Sequence, residues 1–192
     1  DSKINFLKCI YYNIKPPKWR SREVNFYPIS TTLYVNTICN YRCSFCFLIN
    51  DDHKGNKKFN LDLEKFYDLL EHKHIRYSAR ITLGGGEPYL NKNIYEFIKE
   101  LKKRKKIISV YTNGSLIERQ YDQMINNQTH YLNISHYDDK FDDLSHMFKV
   151  INEDKNKKFI SRLSKLVTTE NYKELDDIID KAIYNSFDRV IL

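Results

Sequence analysis

Short apolar runs rich in β-branched residues alternate along this chain with segments whose apolar residues recur at helical spacing. That spacing, i, i+3, i+4 and i+7, puts apolar side chains on one side of a helix. Such stripes begin at Leu63, Ile94, Ile117, Leu144 and Leu175. The runs predict strands at Thr32–Asn36, Arg80–Leu83, Ile107–Thr112, Tyr131–Ser135, Phe159–Val167 and Arg189–Leu192. Strands and helices in alternation predict an α/β fold.

Six strand-then-helix units in succession predict a parallel sheet with right-handed crossovers, in the form of an open or partial barrel. Functional residues of such sheets lie in loops after the carboxyl ends of the strands. Residues 1–30 are predicted to be an N-terminal extension, and residues 31–192 the barrel core. Because the sequence stops within or just after the sixth strand, we expect the core to be incomplete at its C-terminus.

Composition predicts the class of protein and its cellular compartment. The chain is 41% hydrophobic and 14% aromatic, which predicts a globular domain. No apolar run approaches the roughly 20 residues that cross a bilayer, and the first residues do not resemble a signal peptide. Clustered cysteines indicate metal binding in a reducing compartment, so we expect a cytoplasmic protein without membrane association.

The formal charge is +7, which favours an anionic partner. The densest basic run, residues 102–106, falls at the end of a predicted helix, where an exposed and solvated face is the ordinary explanation. No aromatic residues interleave with this run, which argues against nucleic acid.

Cys39, Cys43 and Cys46 form a C-x3-C-x2-C sequence that supplies three thiolates from one loop. Thiolates select zinc or iron–sulfur clusters, and three thiolates without an obvious fourth predict a [4Fe–4S] cluster with one open iron. Two alternatives stay open. Cys9 or His53 would complete a structural zinc site, and the three thiols can also be unrelated buried side chains.

Glycine is concentrated at two predicted strand ends. The chain has only five glycines, and four of them are Gly84, Gly85, Gly86 and Gly114. Glycine permits unusual backbone angles and close approach of the backbone to a ligand, although ordinary tight turns use it as well. The cysteines follow the first strand and these glycines follow the second and third. One shared edge of the sheet is therefore predicted to carry a single site.

Three motifs together resemble the radical S-adenosylmethionine (SAM) superfamily: the cysteine motif with Phe45 before its last cysteine, Gly85-Gly86-Glu87-Pro88, and Thr112-Asn113-Gly114. The resemblance covers about Thr32 to Leu192 and implies a partial (βα)6 barrel. It implies that the three cysteines hold a [4Fe–4S] cluster whose fourth iron is chelated by SAM. It also implies reductive cleavage of SAM to a 5′-deoxyadenosyl radical that abstracts hydrogen, with an electron donor such as flavodoxin or ferredoxin.

The resemblance assigns cofactor-binding roles to residues of the two glycine-containing motifs. Gly85, Gly86 and Glu87 match the family's motif for the methionine end of SAM, where a carboxylate and exposed backbone groups would meet the ammonium. Thr112 and Asn113 are assigned to the same cofactor site. The plain alternative for Glu87 is an exposed carboxylate on a turn.

Further cofactor contacts implied by the resemblance lie elsewhere on the same edge. Phe45 is expected near the adenine, Ser135 near the ribose or carboxylate, and Arg162 paired with the SAM carboxylate. Ser135 can equally end a strand, and Arg162 can equally be a surface ion-pair partner. Residues 136–139 follow Ser135, and a histidine or tyrosine there can orient substrate or donate a proton, while the two aspartates also fit a helix N-cap. No catalytic hydrogen donor is identified.

For the substrate, a peptide or protein side chain is preferred, because the positive charge and the tyrosine-rich N-terminal extension would suit an acidic leader segment. The alternative is a nucleotide or other small molecule. Residues 39–47 and 113–117 are similar to the corresponding stretches of viperin-type enzymes, but Leu48 departs from that pattern. Outside enzymes, the competing class is a zinc-stabilised interaction module.

Overall fold

A computed structural model describes residues 28–46, 48, 58–137 and 140–192 of the chain. The strands are β1 Ser30–Asn36, β2 Arg80–Gly85, β3 Ile107–Thr112, β4 Tyr131–Ser135, β5 Ile160–Ser164 and β6 Arg189–Ile191. The helices are α1 Leu63–Glu71, α2 Lys73–Arg76, α3 Ile94–Lys103, α4 Ile117–Asn126, α5 Phe141–Asn152 and α6 Leu175–Tyr184, with 3₁₀ turns at Pro88–Leu90 and Tyr172–Glu174. The predicted N-terminal extension lies almost wholly outside the described residues.

The strands form one parallel sheet in the sequential order β1-β2-β3-β4-β5-β6. Right-handed crossovers in that order place the helices on one side of the sheet, which is the predicted partial (βα)6 barrel. This fold class is confirmed. The fifth strand is shorter than the predicted Phe159–Val167, because it extends only over the five residues that pair with β4.

The predicted apolar stripes face the sheet and form the core. Phe66 of α1 and Phe97 of α3 are fully buried and stack with ring centroids 4.2 Å apart. Asp62 caps α1, since its carboxylate accepts the backbone N–H of Lys65 at 2.9 Å. Alternate strand residues complete the helix side of the core, among them Leu33, Val35, Ile81, Leu83, Ile108, Val110, Leu132, Ile134 and Leu163.

The opposite face of the sheet is polar. In the ladder, Thr82 of β2 pairs in register with Ser109 of β3, and Ser109 with Tyr131 of β4. Register partners point to the same side, so these side chains share the helix-free face. Asn133 lies two residues further along β4 and donates to the Ser109 hydroxyl at 2.7 Å. This face therefore carries hydrogen-bonding groups and differs from the apolar helix side of the sheet.

The basic run at residues 102–106 only partly matches its expected solvated face. Lys102 and Lys103 occupy the last turn of α3 as expected. Lys106 is only 7% exposed, and its ammonium donates to the backbone carbonyls of Arg76 and Ser78 at 2.6 Å each. This lysine therefore ties the start of β3 to the end of α2. Within the described parts of the chain, no helix has the length and apolarity needed to cross a membrane.

Candidate active site at the carboxyl ends of the strands

The cysteine loop, residues 39–46, follows β1 directly. All three of its cysteines are free thiols of intermediate exposure. The backbone N–H of Cys46 donates to the carbonyl of Cys43 at 3.1 Å, and the N–H of Tyr41 reaches the Cys39 sulfur at 3.4 Å. A compact turn thus presents the thiols at the carboxyl edge of the sheet.

The glycine loop, residues 84–87, runs alongside the segment that enters the cysteine loop. The N–H of Gly86 donates to the carbonyl of Asn36 at 3.0 Å, and the N–H of Glu87 donates to the carbonyl of Ile38 at 2.8 Å. A Cβ on Gly86 would lie 2.1 Å from the Ile38 oxygen. Glycine is therefore required here for close approach between two backbones.

Glu87 lies at the centre of the site, where its side chain is completely buried. One carboxylate oxygen accepts the Thr112 hydroxyl at 2.8 Å and the N–H of Tyr89 at 3.1 Å. The other accepts the N–H of Asn113 at 2.8 Å. Three protein donors hold this carboxylate, so Glu87 is not the exposed turn residue of the plain alternative. It joins the loop after β2 to the loop after β3.

Asn113 links this group of hydrogen bonds to the cysteine loop. Its side-chain amide nitrogen donates to the side-chain Oδ1 of Asn40 at 2.9 Å and lies 3.8 Å from the Cys39 sulfur. Asn40 in turn donates to the Ser115 hydroxyl at 2.8 Å. The three sequence motifs therefore meet in one hydrogen-bonded network, as their positions after β1, β2 and β3 predicted.

Asn36 and Asn40 belong to this network and were not identified as site residues from the sequence. Asn36 is fully buried and donates to the Glu87 carbonyl at 2.9 Å, and Asn40 links the cysteine loop to the loop after β3. Polar residues beside the cysteine motif, one of them ending an apolar strand, were the available signal.

Burial dominates the electrostatics of Glu87. Its three hydrogen bonds favour the carboxylate, but loss of hydration outweighs them and raises the pKa of Glu87 from 4.5 to about 7. The folded protein thus holds the proton more tightly than the unfolded chain does. The stabilisation from this group is complete below about pH 4.5 and is lost as the pH rises through about 7.

We expect Glu87 to make folding pH-dependent by about 3 kcal/mol between pH 4.5 and pH 8. The measurement is the free energy of unfolding in urea for the wild type and for Glu87→Gln, which has no titrating group at this position. The wild type should lose about 3 kcal/mol relative to the variant over this range. Glu96→Gln, at an exposed salt bridge of α3, is the control and should follow the wild type. Parallel curves for wild type and Glu87→Gln would refute this assignment.

The end of β4 brings an aromatic side chain onto the cysteine loop. Tyr137 stacks on Phe45 with centroids 5.9 Å apart and meets Tyr41 edge-on at 5.6 Å. Burial raises the pKa of Tyr137 above its usual range, and its hydroxyl interacts with the side chains of Ser135 and Cys43. Of the two described residues that follow Ser135, Tyr137 is the one that contacts the cysteine loop.

The residues next to Tyr137 in the sequence are also candidates for this edge of the sheet. His136 is buried and stacks on Phe141 of α5 at 4.6 Å between ring centroids. Asp138 and Asp139, the candidate N-cap residues, lie outside the described residues. Ser135 ends β4 on the polar face, as expected of a residue at this edge.

Of the remaining residues expected to bind SAM, one lies at the carboxyl edge of the sheet and the other lies in the middle of a strand. Phe45 lies within the cysteine loop and is 57% exposed, which leaves its ring accessible. Arg162 lies in the middle of β5, and its guanidinium carbon is 3.7 Å from the centroid of the Tyr131 ring. Tyr131 opens β4, so the Arg162 side chain extends towards the amino ends of the strands.

The thiol donors fit an iron–sulfur cluster. Among the described residues, no three side chains of His, Cys, Asp or Glu are grouped as ligands of a single metal ion. A cluster binds its thiolates at separate irons and does not require such convergence. Cys9 and His53, the candidate fourth zinc ligands, lie outside the described residues.

Comparison with known proteins assigns the family. A match to the Radical SAM superfamily covers residues 33–183. The chain belongs to this superfamily and is a radical SAM family enzyme. The family's cofactors are a [4Fe–4S] cluster and SAM, in agreement with the chemistry of the cysteine loop.

Two curated relatives share about half of the chain. A SAM-dependent nucleotide dehydratase of Psychrobacter lutiphocae is 31% identical over 107 residues, which are 49% of this chain and 35% of the relative. A GTP 3′,8-cyclase of Alkaliphilus oremlandii is 32% identical over 101 residues, 52% of this chain and 30% of the relative. The chain thus spans about a third of the length of these relatives.

Solved structures show the same fold. Streptococcus suis SuiB bound to SAM has a TM-score of 0.68 and 21% identity over 85% of this chain and 40% of SuiB. SuiB bound to its precursor peptide SuiA has a TM-score of 0.69 and 19% identity over 98% of this chain and 42% of SuiB. These likenesses concern the architecture of the sheet and its helices.

Proposed function

We propose that this chain is the catalytic core of an enzyme that cleaves SAM reductively and removes a hydrogen atom from a bound substrate. The observation that carries the proposal is the network at the carboxyl edge, in which Glu87 and Asn113 link the glycine loop and the β3 end to Cys39. In this assignment Cys39, Cys43 and Cys46 hold the cluster. The C-x3-C-x2-C and Gly-Gly-Glu-Pro sequences are then the family's cofactor motifs.

When bound, the cluster supplies the electron that cleaves SAM into methionine and a 5′-deoxyadenosyl radical. The residues of this chain position the reactants. In this assignment Gly85 and Gly86 would line the methionine end of SAM, Phe45 would lie near its adenine, and Ser135 would lie near its ribose or carboxylate. Glu87 keeps the glycine loop against the end of β3, because its buried carboxylate accepts donors from Thr112 and Asn113.

We further propose that the substrate is a peptide or protein side chain. The charge of +7 supports this choice, since an acidic segment would be attracted to the protein. A nucleotide is the second candidate, and it is favoured by the two relatives named for nucleotide reactions at 31 and 32% identity. Flavodoxin or ferredoxin is the proposed electron donor.

Deuterium transfer tests the substrate class. The reconstituted protein is incubated with SAM, dithionite and either deuterated acidic peptides or deuterated nucleotides, and 5′-deoxyadenosine is analysed by mass spectrometry. We expect label to arrive from a peptide, because hydrogen abstraction converts the radical into 5′-deoxyadenosine.

The Cys43→Ala variant is the matched control and should yield no labelled product. Label from a nucleotide and from no peptide would overturn the preference for peptides. Formation of unlabelled 5′-deoxyadenosine with both sets would contradict both substrate classes.

A further inference from the structure

The helix-free face of the sheet carries a group of cations near the amino ends of the strands. Arg80 opens β2, Arg162 lies in β5 and Arg189 opens β6. Arg162 is the register partner of Arg189 on one side and of Asn133 on the other. Because register partners share a face, these arginines lie on the same face of the sheet as the polar residues of β2, β3 and β4.

Two of these arginines lie close to a single aromatic ring. The guanidinium carbon of Arg162 is 3.7 Å from the centroid of Tyr131, and that of Arg80 is 5.4 Å from the same centroid. The two guanidinium carbons therefore lie within about 9 Å of each other. The ring holds both side chains in place, which reduces the entropy lost when they bind a ligand.

Neither guanidinium has an ion-pair partner among the residues that the structure describes. The Nε atoms of Arg80 and Arg162 are buried and have no hydrogen-bond acceptor. The Oδ1 atom of the fully buried Asn133 likewise has no hydrogen-bond donor. Arg104 offers a contrast, since it binds the carboxylates of Glu71 and Glu100 at 2.7 and 2.8 Å. Buried donors without acceptors are costly, and an anionic ligand would relieve that cost.

We propose that Arg80 and Arg162 form an oxyanion subsite that binds a carboxylate or phosphate group of the substrate. This rests on the proposed function, because it places the substrate on the inner face of the sheet. Guanidinium groups bind both oxyanions with paired hydrogen bonds. Arg80, Arg162 and Tyr131 are each partly exposed.

The position of the subsite defines the size of the substrate. Ser135 lies four positions after Tyr131 along β4, which is about 13 Å at the rise of a strand. The bound oxyanion therefore lies on the order of 10 Å from the edge where hydrogen is removed, once the tilt of the strands is included. A substrate must bear its reactive hydrogen and its oxyanion about this far apart, which corresponds to roughly three residues of extended peptide.

The test is isothermal titration of the reconstituted protein with pyrophosphate and, separately, with glutarate. We expect Arg162→Gln and Arg80→Gln each to weaken binding of the recognised anion at least about tenfold. Arg162→Lys keeps the charge but loses the planar fork, so an intermediate loss is expected. Lys103→Gln removes an equal charge from an exposed site on α3 and should leave the affinity unchanged. Binding of pyrophosphate alone identifies a phosphate substrate, and binding of glutarate alone identifies a carboxylate.

Several results would overturn the subsite. The first is an equal anion affinity in the wild type and both glutamine variants, and the second is a loss of anion affinity in Lys103→Gln as large as that in the arginine variants. The third is a loss of SAM affinity in Arg162→Gln that matches its loss of anion affinity. If Arg162→Gln fails to fold, Arg80→Gln carries the test, since its contact with Tyr131 is longer. Cleavage of SAM is measured in the same preparations. Arginine-dependent anion binding without any SAM cleavage would refute the proposed function and leave the subsite standing.

Discussion

Cys43→Ala should reduce bound iron and sulfide from about four of each per chain to background after anaerobic reconstitution. Cys43 lies between the other two cysteines in a turn closed by the hydrogen bond from the N–H of Cys46 to its carbonyl. Two thiolates cannot replace three in holding a cluster that already has an open iron. Iron and acid-labile sulfide analysis, with the visible absorption spectrum, measures the effect.

Ser44→Ala is the matched control for this loss. Ser44 is exposed and lies next to Cys43 in the same loop, but it carries no thiol. The control should keep its full iron content. Full iron in Cys43→Ala, or one zinc per chain in the wild type, would contradict the cluster assignment.

Gly86→Ala should disrupt the site although it changes no ligand. A Cβ at this position would lie 2.1 Å from the Ile38 oxygen and 2.5 Å from the Ile38 carbonyl carbon. These are backbone atoms one residue before Cys39, so the clash cannot be relieved by rotating a side chain. We expect a loss of about 3 kcal/mol or more in the free energy of unfolding, together with a reduced cluster content.

Gly84→Ala is the control that distinguishes this steric clash from a general sensitivity of the glycine loop to substitution. Among the residues that the structure describes, its Cβ would meet two ring carbons of Tyr34, at 3.9 and 4.0 Å, which is ordinary van der Waals contact. Gly84→Ala should therefore stay close to the wild type in stability and iron content. Equal losses in Gly84→Ala and Gly86→Ala would refute the proposed close approach at Gly86.

The order of the strands and the common edge of the three motifs were predictable from the sequence. Apolar stripes at helical spacing and short β-branched runs are local signals, and parallel pairing then determines which loops share an edge. The extent of β5 was less predictable. Leu166 continues the apolar pattern of that strand, yet it is 56% exposed and lies beyond the residues that β6 pairs.

The orientation of individual side chains was not predictable in the same way. Nothing in the sequence around Glu87 distinguishes a carboxylate that faces a cofactor from one that is buried against Thr112 and Asn113. Similarly, Arg80, Tyr131 and Arg162 come from three separate strands. Their association depends on the register between strands, which is a tertiary property.

Formation of 5′-deoxyadenosine is the most direct test of the central claim that this edge of the sheet cleaves SAM. The reconstituted wild-type chain is incubated with SAM and dithionite without oxygen, and 5′-deoxyadenosine and methionine are quantified beside the Cys43→Ala variant. The account predicts both products in equal amounts from the wild type and neither from the variant. A wild-type chain that holds a full cluster yet forms no 5′-deoxyadenosine would contradict it.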